Sequence, residues 1–204
     1  MSPAPEIRVV FFDIGNVLLR FDIPKIIRKM AWALGSNPFK IARYLGSSEL
    51  VSAIEKGEVS GRQLHRRFKA ELGYKEDYAA FRLFWCDHFT LDRECSEILR
   101  TVAKTRKVFL LSNTNQLHYE FIKENYPFPG HAHGAVLSYK LGLRKPEPAI
   151  YQAALKRARV RPEQAFFVDD ISENVEAAAR AGIHAWRYGG AAGLRKELQR
   201  MGVL

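Results

Sequence analysis

Ile7-Arg8-Val9-Val10-Phe11-Phe12-Asp13-Ile14-Gly15-Asn16 is the stretch on which the fold turns. From Ile7 to Phe12 apolar, β-branched and aromatic residues run with too little polar alternation for a half-exposed strand, and a polar, glycine-containing turn begins at Asp13. A half-exposed strand alternates, whereas a strand covered on both faces does not, so this run predicts an interior strand of a parallel sheet. Lys107 to Leu111 and Ala165 to Val168 repeat the form, the first running into Ser112-Asn113-Thr114-Asn115 and the second into Asp169-Asp170. Ligands of open α/β sheets bind beyond the carboxyl ends of the strands, so these three polar clusters are expected along one edge.

Working outward, weaker strands near Ala135 to Ser138 and Ile183 to Arg187 complete a sheet of five. Helices are expected over Gln116 to Glu124, Pro148 to Ala158 and Glu173 to Ala181, with Gly182 stopping the last. Between Ile23 and Phe89 the pattern is helical: Pro24 sits near a helix start, Ser47-Ser48 precede Glu49 to Lys56, and Ser60 caps Gly61 to Leu72. The expected fold class is α/β, a Rossmann-like parallel five-stranded sheet flanked by helices, with an inserted helical-bundle cap above its carboxyl edge. The expected division is an α/β core of residues 1–20 and 93–204 and a cap of residues 21–92.

The composition suits such a domain. Of 204 residues, 47% are hydrophobic and 12% aromatic, which excludes a disordered chain. No apolar run reaches the roughly 18 to 20 residues of a membrane-spanning helix. Two cysteines, Cys86 and Cys95, are too few for a disulfide scaffold and read as small buried hydrophobes, so a cytoplasmic setting without membrane attachment is expected. The net charge of +10 favours anionic partners, but the basic residues are scattered and no aromatic-basic motif accompanies them, which disfavours nucleic acid. A monomer or homodimer is expected.

Asp13, Ser112, Lys145 and Asp169-Asp170 differ in chemical role and come in an order that suits phosphoryl transfer. A carboxylate can attack phosphorus, a hydroxyl can hold phosphoryl oxygens, a lysine neutralises charge, and further carboxylates hold magnesium.

The chain resembles the haloacid-dehalogenase-like hydrolase superfamily through four motifs. They are Val10-Phe11-Phe12-Asp13-Ile14-Gly15-Asn16-Val17-Leu18-Leu19, Val108-Phe109-Leu110-Leu111-Ser112-Asn113, Gly142-Leu143-Arg144-Lys145-Pro146 followed by Ile150-Tyr151, and Phe166-Phe167-Val168-Asp169-Asp170 with Asn174. The insert between the first two is similar to the helical cap of subfamily I, and the stretch between the last two is too short for the other type of cap. The resemblance implies a magnesium-dependent phosphatase acting on a small phosphorylated metabolite, a sugar phosphate by expectation, through an aspartyl-phosphate on Asp13. It implies that Asp13, the Gly15 carbonyl and Asp170 hold Mg2+, with Asp169 a further ligand or a partner of one. It places Ile14, Gly15, Ser112, Asn113 and Lys145 around the phosphoryl group, Lys145 also acting in catalysis, and leaves Asn174 divided between the site and helix stability.

One departure stands out. The family's phosphatases carry a second aspartate two residues after the nucleophile, to protonate the leaving group; Gly15 occupies that place. General acid–base help is worth about 10² to 10⁴ in rate, so activated phosphates should fare best, and an aspartate installed at position 15 should help poor leaving groups if there is room for it. The Asp-x-Gly-Asn-Val form is also similar to that of members regarded as phosphatases, including the α-D-glucose-1-phosphate phosphatase type. Two alternatives remain at this level: a catalytically weak phosphate-binding or interaction module, and a 2-haloacid dehalogenase, which the paired Asp169-Asp170 disfavours. Arg20 could reach substrate at the cap hinge or face water, Glu49 to Glu58 and Arg62 to Arg67 are candidates for the entrance, and His131 and His133 read as a surface loop rather than a metal pair.

Overall fold

The computed structural model describes residues 6–204. In chain order the strands are β1 (Val9–Phe12), β2 (Leu19–Arg20), β3 (Thr90–Leu91), β4 (Lys107–Ser112), β5 (Gly134–Leu137), β6 (Ala165–Asp169) and β7 (His184–Arg187). The helices are α1 (Ile23–Ala33), α2 (Pro38–Leu45), α3 (Ser48–Glu55), α4 (Gly61–Leu72), α5 (Tyr78–Cys86), α6 (Arg93–Val102), α7 (Gln116–Asn125), α8 (Phe128–His131), α9 (Ser138–Leu141), α10 (Pro148–Ala158), α11 (Ser172–Arg180) and α12 (Ala191–Arg200). Five strands form one parallel sheet in the order β5-β4-β1-β6-β7. The predicted strand count and fold class stand, with boundaries moved by a residue or two.

The unbroken apolar runs have a simple cause. Successive side chains of β1, β4 and β6 point to opposite faces, and both faces are covered. Val10, Phe12, Val108, Leu110, Phe166 and Val168 pack with Ile98, Leu99 and Val102 of α6 and Leu194 and Leu198 of α12. Val9, Phe11, Phe109, Leu111, Ala165 and Phe167 pack with α10 and α11 through Ile150, Tyr151, Ala154, Ala177 and Ala178. Helices α6 and α12, unassigned in the sequence reading, are the layer that makes β1 an interior strand.

The helical insert leaves and re-enters through an antiparallel pair, β2 with β3, in the register Leu19 to Leu91 and Arg20 to Thr90. Its helices start where capping side chains place them. Asp22, Asn37, Ser47 and Asp77 each accept from a backbone N–H in the first turn, and Ser60 with Gln63 forms a capping box. Five helices there bury a separate apolar cluster that includes Met30, Ile41, Leu64, Phe68, Phe81 and Trp85, closed below by Leu117 and Phe121 of α7. Among the described residues no helix is long and apolar enough to cross a membrane.

Candidate active site

The carboxyl ends of β1, β4 and β6 converge, and with them the polar clusters that follow each strand. Asp13 follows β1, Ser112 ends β4, Asp169 ends β6 and Asp170 follows it. Carboxylate oxygens of Asp13, Asp169 and Asp170 lie within 4.8 Å of one another, the sole such acidic, histidine or cysteine cluster found among the described residues.

Lys145 is the centre of this group. It is 1% exposed, and its Nζ lies 2.8 Å from Asp13 Oδ1 and 2.5 Å from Asp169 Oδ2 while donating to the Leu111 carbonyl at 3.0 Å. Burial alone would lower its pKa, yet the two carboxylates hold it above the usual lysine value. Burial, assisted by Asp169 and opposed by Lys145, pushes Asp13 up to about 7. One ammonium facing three carboxylates leaves the cluster short of positive charge.

Asp169 and Asp170 differ in what remains open to a ligand. Asp169 is fully buried: Oδ1 accepts from the Ile171 N–H at 2.9 Å and from Asn174 Nδ2 at 3.0 Å, and Oδ2 from Lys145 and, at 3.1 Å, from Asn174. Both its oxygens are occupied by protein donors. Asp170 is half-buried and accepts from Asn16 Nδ2 at 3.3 Å. Burial holds the Asp170 carboxyl above its ordinary value. Asn174 therefore acts on Asp169. Its first-turn position on α11 brings its amide back onto the strand end.

Asn113 does not aim its amide at the cavity. Its Oδ1 accepts from the Lys145 N–H at 2.7 Å and its Nδ2 donates to the Lys145 carbonyl at 2.8 Å. Asn113 lines the cavity, and its side chain is at the same time a clasp on the lysine's backbone. Ser112 is buried and lines the cavity, as do Ile14 and Gly15, although the Ile14 side chain packs into the core cluster.

The cavity above these residues measures about 380 Å³ and lies between the strand ends and helices α1, α2, α3 and α5. Two ion pairs tie helix and loop across it: Glu55 with Arg144 at 2.8 Å and Lys56 with Glu147 at 2.8 Å. Both flank Lys145, so the insert is fastened to the loop that carries the lysine. Of the entrance candidates, Glu55 and Lys56 make these ties and Leu50, Val51, Ile54 and Glu55 line the wall; Arg62 instead lies over the Tyr78 ring at 4.6 Å.

A haloacid dehalogenase-like hydrolase family model matches residues 7–182. The chain belongs to that family. Over 200 residues it is 26% identical to the D-ribitol-5-phosphate phosphatase of Bacteroides thetaiotaomicron, covering 94% of this chain and 97% of that one. A HAD family enzyme from the same organism superposes with a TM-score of 0.80 at 23% identity, over 89% of this chain and 93% of that chain. Its wild-type form has been solved with magnesium and inorganic phosphate, and to that structure the TM-score is 0.74. A HAD-like hydrolase from Porphyromonas gingivalis gives 0.81 at 21% identity, over 95% and 98% of the two chains.

In this HAD-like hydrolase the position of the missing second aspartate is crowded. A Cβ on Gly15 would stand 3.1 Å from Cε1 of Phe21, whose ring meets Phe89 edge-on at 6.1 Å. Asn16 takes a left-handed conformation, φ 49°, which asparagine tolerates better than most residues, and from there its amide bridges Asp170 and the Phe21 N–H. Neither Asn16 nor Phe21 was singled out from the sequence; the Gly15-Asn16 pair was the available turn signal.

Other candidates fall outside the site. Arg20 does not line the cavity: its side chain is exposed to water, and its guanidinium grips Asp92 at 2.7 Å while Tyr188 donates to the same carboxylate at 3.1 Å, securing the base of the insert. His133 Nδ1 accepts from the Val108 N–H at 3.1 Å, which agrees with a loop role rather than a metal pair. Cys86 and Cys95 are buried and unpaired, and burial pushes each thiol up to about 12.

Proposed function

We propose that the chain is a magnesium-dependent phosphomonoesterase that forms an aspartyl-phosphate on Asp13. The observation that carries this reading is the buried Asp13–Lys145–Asp169 array, with Asp13 lining the cavity and Asp170 beside it. The Mg and phosphate complex of the B. thetaiotaomicron HAD enzyme and the relative named as a phosphatase support it.

The donors fit a hard divalent cation, because oxygen carboxylates cluster beyond what one lysine neutralises. Asp13, Asp170 and the Gly15 carbonyl would hold Mg2+, while Asp169, whose oxygens already accept from Lys145, Ile171 and Asn174, orients the lysine. When bound, the ion supplies positive charge to the phosphoryl oxygens and the attacking carboxylate. Asp13 attacks phosphorus; the P–O ester bond breaks toward the cap side of the cavity, and water later cleaves the acyl phosphate. Lys145 favours the ionised form of Asp13 against the burial that raises it and meets charge that develops on the phosphoryl oxygens, with the Ser112 hydroxyl beside it. Position 15 offers no proton donor, so the leaving oxygen takes its proton from solvent or from the substrate itself.

The division into a core of residues 1–20 and 93–204 and a cap of residues 21–92 belongs to this reading, and the β2–β3 ribbon at both crossings supports it. The polyol phosphate named for the relative makes sugar and polyol phosphates the first class to assay. The test is phosphate release from a panel of phosphomonoesters with magnesium and with chelator, for wild type and Asp13→Asn. Metal-dependent release that vanishes in the variant is expected. Undiminished release by pure Asp13→Asn protein would overturn the assignment, and phosphate-analogue binding without turnover would replace it with a binding module.

A further inference from the structure

The wall that faces the leaving group is apolar. On the cap side it is made by Ile27 and Met30 of α1, Leu50, Val51 and Ile54 of α3, and Trp85 of α5. The polar side chains that interrupt this wall are already engaged or neutral. Glu55 is paired with Arg144 at 2.8 Å. His118, stacked on Trp85 at 5.5 Å and 17°, contacts the Trp85 carbonyl through Nε2 at 3.3 Å and Asn115 through Nδ1 at 3.1 Å. Beyond the Asp13 carboxylate, four polar atoms of the lining are left without a hydrogen-bond partner among the described residues, two of them, Glu55 Oε2 and Arg144 Nε, inside the Glu55–Arg144 ion pair. The other two are the indole N–H of Trp85, a residue 8% exposed, and Nδ1 of His88.

A polyol brought onto this wall would exchange several hydrogen bonds to water for those few, half of them on groups already held in an ion pair. Each hydroxyl buried without a partner weakens binding by roughly ten- to a hundredfold. An alkyl or aryl body suffers no such loss and gains the contact area of the aliphatic wall. We infer that the phosphatase site takes the phosphomonoester of a largely apolar alcohol in preference to a polyhydroxylated one. This inference rests on the phosphatase reading for its chemistry, and on the cavity wall alone for the choice of leaving group.

The test compares hexyl phosphate with ribitol 5-phosphate. Both are esters of primary alcohols, and any proton that the hydroxyls of ribitol supply at the missing acid favours the polyol, so a kcat/KM ratio in favour of hexyl phosphate reports the wall. A ratio of about ten or more in favour of hexyl phosphate is expected, in the range that a few methylenes provide in an apolar pocket. Ile27→Asn, or Val51→Thr if the first does not fold, should shrink it several-fold by giving hydroxyls a partner. Binding is read separately by calorimetry with magnesium present, using hexylphosphonate and methylphosphonate, whose C–P bonds resist hydrolysis. Hexylphosphonate should bind at least tenfold more tightly. Equal binding of the two phosphonates, or preferred turnover of ribitol 5-phosphate, overturns the inference. Tight hexylphosphonate binding with no ester turned over would overturn the phosphatase reading and uphold the apolar pocket.

Discussion

The side chain of Asn113 holds the backbone of Lys145 at both its N–H and its carbonyl, at 2.7 and 2.8 Å. The two residues are 32 apart in sequence. Through this clasp the end of β4 fixes where the lysine loop starts, and the lysine can then span Asp13, Asp169 and the Leu111 carbonyl at once. Removing the amide frees that loop without touching any reacting atom. Asn113→Ala should lower kcat by about 10²-fold, the scale of a small misplacement of a catalytic group, while Asn113→Asp, which keeps the acceptor, should retain more activity. Steady-state kinetics on both variants checks this; equal loss in the two would show that the paired geometry is not what matters.

Lys145 is the cation between two buried carboxylates, so its loss is expected to be a stability event as well as, on the proposed reading, a catalytic one. Lys145→Met leaves Asp13 and Asp169 facing each other without a counter-charge. Breaking a buried ion pair from one side costs about 3 to 5 kcal/mol. Denaturant unfolding in the presence of chelator should show a loss of that order, and adding Asp169→Asn should return part of it, because the remaining pair then has one charge fewer. A double variant no more stable than Lys145→Met would argue that packing, not charge, sets the loss.

Gly15→Asp is the restoration that the sequence invites, and Phe21 stands in its way. A Cβ at that position would lie 3.1 Å from the ring, which packs edge-on against Phe89. The single substitution is expected to destabilise by about 1 to 3 kcal/mol, as overpacked positions do, without raising turnover of alkyl phosphates. Gly15→Asp with Phe21→Ala should recover stability, and there the gain on poor leaving groups should emerge. A single variant as stable as wild type and faster on alkyl phosphates would show that the ring moves aside freely.

The sheet and the order of its polar clusters were legible because burial on both faces imposes unbroken apolar runs, and a strand end imposes a turn. The same local signals located Asp13, Ser112, Lys145 and Asp169-Asp170. Contacts between distant residues left no such mark. Nothing in Ser112-Asn113 says that the amide faces the lysine loop instead of the cavity, nothing near Gly15 shows that Phe21 fills the space, and Arg20 finds Asp92 across the β2–β3 ribbon. The cap wall was hidden for a related reason. Helical periodicity shows that Ile27, Met30, Val51 and Ile54 face inward, but an apolar face can line a cavity as well as a core, and only the assembled helices distinguish the two. His118 and Trp85 form a contact that spans the insert and α7, so neither residue looks special in its own segment.

That contact makes folding sensitive to acid. Burial, together with the neighbouring His88, lowers His118 to about 3, and burial with Lys29 lowers His88 to about 4. Above pH 6.5 each ring is neutral in the folded and the unfolded chain. Below it the unfolded chain takes up protons that the folded chain refuses, so stability falls as pH drops from 6.5 toward the folded values. For His118, which faces the cavity, the expected loss between pH 7 and 5 is about 1 to 2 kcal/mol. The neutral His118 ring is held by the Trp85 carbonyl on one side and the Asn115 amide on the other. His118→Gln can keep a donor and an acceptor there without titrating. Urea unfolding of wild type and variant at pH 7 and pH 5 should show a smaller pH-dependent loss in the variant; identical losses would place the acid sensitivity elsewhere, at the buried His88 ring.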